Sequence, residues 1–236
     1  MPIFNDQVRQ ELIDFLSDKL YFSDGEMYNH YYDEDMYEDE EWYDEVGMEC
    51  EADDWDHGAS KIVLYYNALK DWVVKIPFAG DYYEEEDRYN NFCEANRYLP
   101  IAEDDYCAAE AYLTKQATAA GVDFMFACTY YLMTIDGVRV YVAERVRPQS
   151  WKIEWQNPDS SAASAADIRS CCQDELYESH MSETDLALFV DAYGEDAALD
   201  LISFISEWRI NDIHSGNTMM DSNNHIRIVD YSGFNS

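Results

Sequence analysis

The chain has 236 residues, 47% hydrophobic and 15% aromatic, enough apolar material for a real core and too much for a chain disordered throughout. Fifty Asp and Glu against fifteen Lys and Arg give a formal net charge of −35. That charge argues against direct nucleic-acid binding and against an anionic membrane as partner, favours basic protein surfaces, and means that any nucleotide site must supply its own positive charge.

The six cysteines, Cys50, Cys93, Cys107, Cys128, Cys171 and Cys172, form no CxxC pair and no metal-type spacing with the five histidines, a pattern expected of reduced thiols. No charged-then-apolar leader opens the chain, and no apolar run approaches the roughly eighteen residues of a membrane helix. The expected location is therefore the cytoplasm.

In chain order, Val8, Leu12, Phe15, Leu16 and Leu20 recur at helical spacing over residues 6–20, with Asn5 placed to cap. The expected role is packing on the domain. Residues 21–57 mix acids with aromatics, as in Tyr37, Glu38, Asp39, Glu40, Glu41, Trp42 and Tyr43. Dense like charge favours a solvated extension, while the aromatics offer apolar area to bury. Three readings stand for it: an ordered but solvated extension, a carboxylate mimic of a nucleic-acid backbone, or an acidic arm that docks on a basic partner protein.

From Gly58 the texture becomes β. Residues 62–66 and 72–78 read as strands around a turn, the second stopped by Pro77 and Gly80. Period-two alternation puts Val73 and Lys75 on one face and Val74, Ile76 and Phe78 on the other. Lys75 is either an exposed edge-strand lysine or a buried one that needs an acid. Residues 103–120 form the clearest helix, ended by Gly121, and Glu110 sits inside its apolar stripe of Tyr106, Ala109, Leu113 and Ala117. An acid there asks for a cation, and Lys75 is the candidate. Residues 124–135 and 138–146 predict a hairpin about Asp136 and Gly137. Residues 148–181, with Pro148, Trp151, Trp155, Pro158 and a Ser/Ala stretch, read as an inserted linker. Two helices follow, the first capped by Ser182 and ended before Gly194, the second carrying Ala198, Leu201, Ile202, Ile205 and Trp208 into Asn211.

The next stretch carries the chemistry. Asp212, Ile213, His214, Ser215, Gly216 and Asn217 place an acid and an amide five positions apart, and Asp230, Tyr231, Ser232 and Gly233 begin thirteen residues after Asn217. Two short strands, at residues 219–220 and 226–229, would join them as a hairpin. Two carboxylates and an amide are hard oxygen donors suited to Mg²⁺ beside a phosphate chain.

This pattern, D-x-x-x-x-N and then D-x-x-G, resembles the catalytic loop and metal-binding motif of the protein-kinase-like superfamily. The D-x-H-x-x-N wording resembles its aminoglycoside and choline phosphotransferase branch. The resemblance covers roughly residues 58–236 and implies an ATP- and Mg²⁺-dependent phosphotransferase. Asp212 would orient or deprotonate a hydroxyl acceptor. Asn217 and Asp230 would hold Mg²⁺. Lys75, fixed by Glu110, would contact the α- and β-phosphates, and Val73 would pack on the adenine. Gly58, Ser60 and Lys61 would cover the phosphates, and Glu144 would border the adenine at a hinge.

The chain departs from the pattern in several places. One glycine survives in the glycine-rich loop, Ile210 and Asn211 replace His-Arg, and Tyr231 and Ser232 stand inside the metal motif. The chain stops at Ser236, before the position of an activation segment and the later helices. The expected fold is thus α+β: a kinase-like N-lobe with an antiparallel sheet at residues 58–147 and a truncated helical C-lobe at 148–236, preceded by a helix and acidic extension at 1–57. The alternative function is a catalytically inactive, kinase-like acidic binding protein. Short acidic chains of this kind resemble phage and mobile-element proteins, and such a binder would mimic nucleic acid and block a basic partner in a host cytoplasm.

Overall fold

The protein is mixed α+β, with a five-stranded antiparallel sheet and several helices. The computed structural model describes residues 2–22, 46–57, 61–77, 99, 106–148 and 155–232. Gly58, Ser60, Phe78, Gly80, Trp151 and the acidic run from 23 to 45 lie outside the described residues. The chain divides into two compact units, Met1–Ala111 with Thr129–Arg145 and Tyr112–Cys128 with Val146–Ser236.

The first unit is a sheet with an amphipathic helix on one face. Helix α1 (Asp6–Leu16) starts where the Asn5 side chain accepts from the Val8 amide at 2.9 Å, satisfying one of the amides a helix start leaves open. Strands β1 (Asp54–His57), β2 (Lys61–Tyr65), β3 (Trp72–Pro77), β4 (Thr129–Ile135) and β5 (Val138–Glu144) pair antiparallel in the order β1-β2-β3-β5-β4. The β4–β5 turn has Asp136 at φ 50° and Gly137 at φ 84°, the left-handed pair that a tight hairpin turn needs.

Alternation sorts the sheet into two faces. Ile62, Leu64, Val74, Ile76, Val140 and Val142 form one core cluster with Leu12 and Leu16 of α1. Burying each such side chain stabilises the unit by about 1.5–3 kcal/mol, so α1 belongs to this core, as its periodicity predicts. Arg9 adds a bond from its guanidinium to the Leu132 carbonyl at 2.8 Å. The other face carries Lys61, Val73, Lys75, Thr129 and Tyr141, with Lys75 opposite both Val63 and Tyr141.

Helix α2 (Tyr106–Ala120) gives its first turns to this unit and the rest to the second. It ends on Gly121 at φ 75°, where the Val122 amide returns to the Ala117 carbonyl at 2.9 Å and closes the expected glycine cap.

The second unit corrects the linker reading of residues 148–181. This stretch holds helices α3 (Pro158–Cys171) and α4 (Gln173–Glu178). Pro158 is a helix starter because the first turn needs no N–H from it. The small residues behind it are good helix formers, and Ser161, Ala165 and Ile168 make a buried stripe. The cap comes from elsewhere in the chain: the Asp191 carboxylate accepts from the Gln156 and Asn157 amides at 2.7 Å each and from Ser161 Oγ at 2.8 Å. Partial burial would raise the Asp191 carboxyl, but these donors outweigh it and lower it.

Helices α5 (Glu183–Tyr193), capped by Ser182, and α6 (Glu195–Trp208) meet at Gly194, whose φ is 88°. Strands β6 (Arg147–Pro148), β7 (Thr218–Met220) and β8 (Ile226–Ile228) form a second antiparallel sheet in that order. The predicted strand at 124–135 begins only at Thr129. Residues Asp123–Met125 make a 3₁₀ turn instead, and Phe126 bridges Ile228.

Candidate functional site

In the first unit, Lys61 and Lys75 lie on the same sheet face, and both reach Glu110 on the first half of α2. Lys75 Nζ donates to Glu110 Oε2 at 2.6 Å and Lys61 Nζ to Oε1 at 3.0 Å. Thr129 Oγ1 donates to Oε2 at 2.7 Å and lies 3.4 Å from Lys75 Nζ. Glu110 is fully buried, and the two lysines are 5% and 6% exposed. The expected Lys75–Glu110 pair is therefore present, and the buried reading of Lys75 holds over the edge-strand one. Burial by itself would raise the Glu110 carboxyl. The Lys61 and Lys75 ammoniums, with the hydrogen bonds from Lys75 and Thr129, outweigh that and hold it well below its ordinary range.

Val73 is buried on the same face as Lys75, opposite Ala143, and Glu144 is buried at the end of β5 opposite Trp72. Cys107, Ala108 and Ala111 of α2 cluster with Tyr141 beside the lysines' strand positions.

In the second unit, α6 delivers the loop. Arg209 turns left-handed at φ 53° and ends the helix. Ile210 and Ile213 are buried, and the Ile213 amide donates to the Ser179 carbonyl at 2.8 Å, so apolar anchors fix the loop on both sides of Asp212. Thr218 Oγ1 donates to the buried Asp185 Oδ1 at 3.1 Å, tying the loop's exit to α5.

Within this frame Asn217 Nδ2 donates to the Asp212 carbonyl at 2.9 Å and to Asp212 Oδ2 at 3.2 Å. The Val229 amide donates to the Asn217 carbonyl at 2.8 Å, which sets Asn217 opposite Val229, one residue before Asp230. The open end of the hairpin thus carries Asn217 bonded to Asp212, and the strand opposite leads into Asp230. Asp212 at φ 62° and Asp230 at φ 52° are both left-handed, a conformation that Asp tolerates better than most residues and that recurs at functional sites.

The donor set fits a hard cation. Because the Asn217 amide nitrogen faces Asp212, its Oδ1 is left as an acceptor, and Asp230, just past the hairpin, would be the second oxygen donor if its carboxylate turned to the same ion. Among the described residues, no group of three or more His, Cys, Asp and Glu forms a metal cluster by itself, so an amide oxygen and ligand oxygens would have to complete the shell.

Three participants were not assigned from the sequence. Thr129 is one, and its only sign was a hydroxyl at the start of an apolar strand. Asp185 is another, an acid inside the apolar run of α5. His214 is the third: its Nδ1 accepts from the Gly216 amide at 2.9 Å, and its Nε2 lies 3.5 Å from Asp212 Oδ1. Nδ1 being an acceptor, Nε2 carries the ring proton in the neutral ring, close to the carboxylate but without a hydrogen bond to it. Gly58 and Ser60 lie outside the described residues.

No protein-family model, no curated protein and no solved structure matches the chain.

Proposed function

We propose that this chain is an ATP- and Mg²⁺-dependent phosphotransferase of protein-kinase-like architecture, acting on a hydroxyl acceptor. The sheet unit would be its N-lobe and the helical unit its C-lobe. One observation carries the reading: a strand lysine and a helix glutamate, both buried, joined at 2.6 Å. Burying both charges is costly, and a phosphate chain is a ligand that would use the arrangement.

In this reading Lys75, oriented by Glu110, contacts phosphate oxygens of ATP. Asn217 Oδ1 and Asp230 would hold Mg²⁺, which when bound neutralises the phosphate charge. Asp212 accepts the proton of the acceptor hydroxyl as its oxygen bonds to the γ-phosphorus and the bond to the ADP oxygen breaks. The Asn217 amide holds the Asp212 carboxylate in place, and the His214 ring lies beside it. The five described cysteines are free thiols, which supports a reducing compartment such as the cytoplasm.

The test is transfer from γ-labelled ATP with Mg²⁺ to a panel of hydroxyl acceptors: an aminoglycoside, choline and a serine peptide. Transfer by the wild type that Asp212→Ala abolishes is expected. A wild type that neither transfers label nor binds Mg·ATP sinks the reading.

The formal charge of −35 favours a second reading, a catalytically silent acidic protein that blocks a basic partner, as a phage inhibitor would. Neutralising Glu38, Asp39, Glu40 and Glu41 together would then abolish function, and Asp212→Ala would not.

A further inference from the structure

Asp185 lies buried in the first turn of α5, ahead of the buried run Leu186, Ala187, Leu188, Phe189 and Val190. A carboxyl group so placed is costly unless its oxygens are bonded. Its donors are two hydroxyls. Ser182 Oγ gives a bond to Oδ2 at 2.5 Å, and Thr218 Oγ1 gives one to Oδ1 at 3.1 Å. The helix needs only the serine, whose Oγ accepts from the Asp185 amide at 3.1 Å and so caps α5 by itself. The other bond leaves the helix and ends 33 positions on, at the residue after Asn217. We propose that Asp185 is a positioning residue for the proposed transfer: through Thr218 it fixes Asn217, and through Asn217 the Asp212 carboxylate. The inference rests on the phosphotransferase reading and adds a residue outside the set that the resemblance supplies.

One corner of the chain holds the loop at both ends. At the entry, the Ile213 amide donates to the carbonyl of Ser179, the residue that ends α4. At the exit, Thr218 donates to Asp185. Between α4 and α5 the chain turns at His180, whose φ is 61°, a conformation that a non-glycine residue keeps where its surroundings impose it. The loop also closes on itself, since the His214 carbonyl accepts from the Asn217 amide at 2.8 Å and lies 3.3 Å from Thr218 Oγ1.

Asn217 precedes Thr218 directly, and its side-chain amide donates to both the carbonyl and Oδ2 of Asp212. A shift of Thr218 therefore reaches Asn217 through one peptide and Asp212 through one hydrogen bond. Moving a reacting group by about 1 Å can slow a reaction about a hundredfold, even from a change far from the chemistry. A cap alone would not need the bond to Thr218; a loop that must keep Asp212 and Asn217 in register does.

The experiment compares the full-length wild type with Asp185→Ala, Asp185→Asn, Thr218→Val, the double variant of Asp185→Ala with Thr218→Val, and Asp191→Ala as a stability control on the same helix. Each is assayed for transfer from γ-labelled Mg·ATP below its melting temperature, and the Asn217 side-chain amide is followed by NMR without nucleotide. Asp185→Ala and Thr218→Val should each lower kcat about tenfold or more, with a smaller change in KM. Both should move the Asn217 side-chain resonances. The double variant should be no slower than the slower single one, because both remove the same tie; this separates it from the other bonds of Thr218. Asp185→Asn keeps an oxygen for Thr218 and should recover most of the rate. Asp191→Ala should melt earlier with kcat and the Asn217 resonances kept. The wild type supplies a check that needs no variant: the amides of Ile213, Asn217 and Leu186 should exchange through one common opening, since one corner holds them.

A kcat within about twofold of wild type in Asp185→Ala and Thr218→Val overturns the inference, as does an equal loss of rate in Asp191→Ala. Asn217 resonances that neither variant moves also overturn it. So do Ile213 and Asn217 amides that exchange far faster than Leu186, which decides the matter if both variants fail to fold. A wild type that transfers no label, while Thr218→Val moves the Asn217 resonances, removes the phosphotransferase reading and leaves the Asp185 tie standing.

Discussion

Replacing Glu110 with Gln removes one charge and almost no volume, and the cost can be worked from the geometry. The wild-type carboxylate is fully buried, takes bonds at 2.6, 2.7 and 3.0 Å, and faces two ammoniums that are 5% and 6% exposed. Removing one partner of a buried pair costs about 3–5 kcal/mol, because the charge left behind is still buried. Gln keeps one acceptor oxygen, which places the expected loss near the lower end, about 3 kcal/mol at pH 7. Urea denaturation of both proteins measures it, with the slope checked for constancy.

The pH dependence makes this test sharper. The folded-state carboxyl lies below its ordinary value of 4.5, so the unfolded chain binds the proton more readily. Glu110 therefore contributes stability that is fully present above about pH 4.5 and is lost as pH falls toward the folded-state value. The many other acids of this chain are common to both proteins and cancel in the difference. The gap between wild type and Glu110→Gln should thus be constant from pH 8 to about 5.5 and narrow below 4.5. A gap under about 1 kcal/mol at pH 7, or one that does not change down to pH 3, would refute the argument that the carboxylate is held by its charge.

Asn217→Ala removes the two bonds that clasp Asp212 and a proposed metal ligand together, so Mg·ATP affinity should fall about tenfold for a stability loss near 1 kcal/mol, read by calorimetry and urea melts. Gly216→Ala would bring a Cβ within 2.7 Å of His214 Cε1, and the half-exposed ring should give up its bond to the residue-216 amide and swing away from Asp212; the His214 resonances should shift and transfer slow, with stability changed by no more than about 0.5 kcal/mol. Asp191→Ala strips the start of α3 of its cap, and should cost about 1–2 kcal/mol and speed amide exchange at Gln156, Asn157 and Ser161 first.

Local rules reached far in this chain where they acted alone. The Asn5 and Ser182 caps, the Gly121 stop and the Asp136-Gly137 turn are each set by one or two residues, and each is found where its residue type requires. Lys75 and Glu110 were legible as a pair because each broke an apolar pattern. Lys61 is harder. Its place on Glu110 depends on the β2–β3 register, Val63 opposite Lys75, and a shift of one residue would have turned it to the other face. Helix α3 was missed for a related reason. Proline, serine and alanine look like linker composition, and what makes the stretch helical here is its buried stripe and a cap from Asp191, more than thirty residues on. His214 could not be assigned because its ring is set by a bond to the Gly216 amide that only the folded loop creates.

The charge of the chain finally separates the two functional readings by sign. With fifteen Lys and Arg in all, the chain commits Lys61, Lys75 and Arg227 to its interior, on Glu110 and Asp221. A buried ammonium acts on a phosphate at contact, where salt screens little. The surrounding −35 acts at a distance, where salt screens strongly, over about 8 Å at physiological ionic strength. An anionic nucleotide approaching this protein is therefore repelled over the range that salt removes and attracted over the range that it leaves. Its association rate, and with it the affinity, should rise between 20 and 200 mM salt, opposite to the usual behaviour of phosphate ligands. A basic partner held by the exposed acids should lose affinity over the same range. Stopped-flow rates for a fluorescent ATP analogue across that series decide the point: a rate that falls with salt means the ligand is steered by exposed positive charge, and the buried-lysine account of the site is wrong.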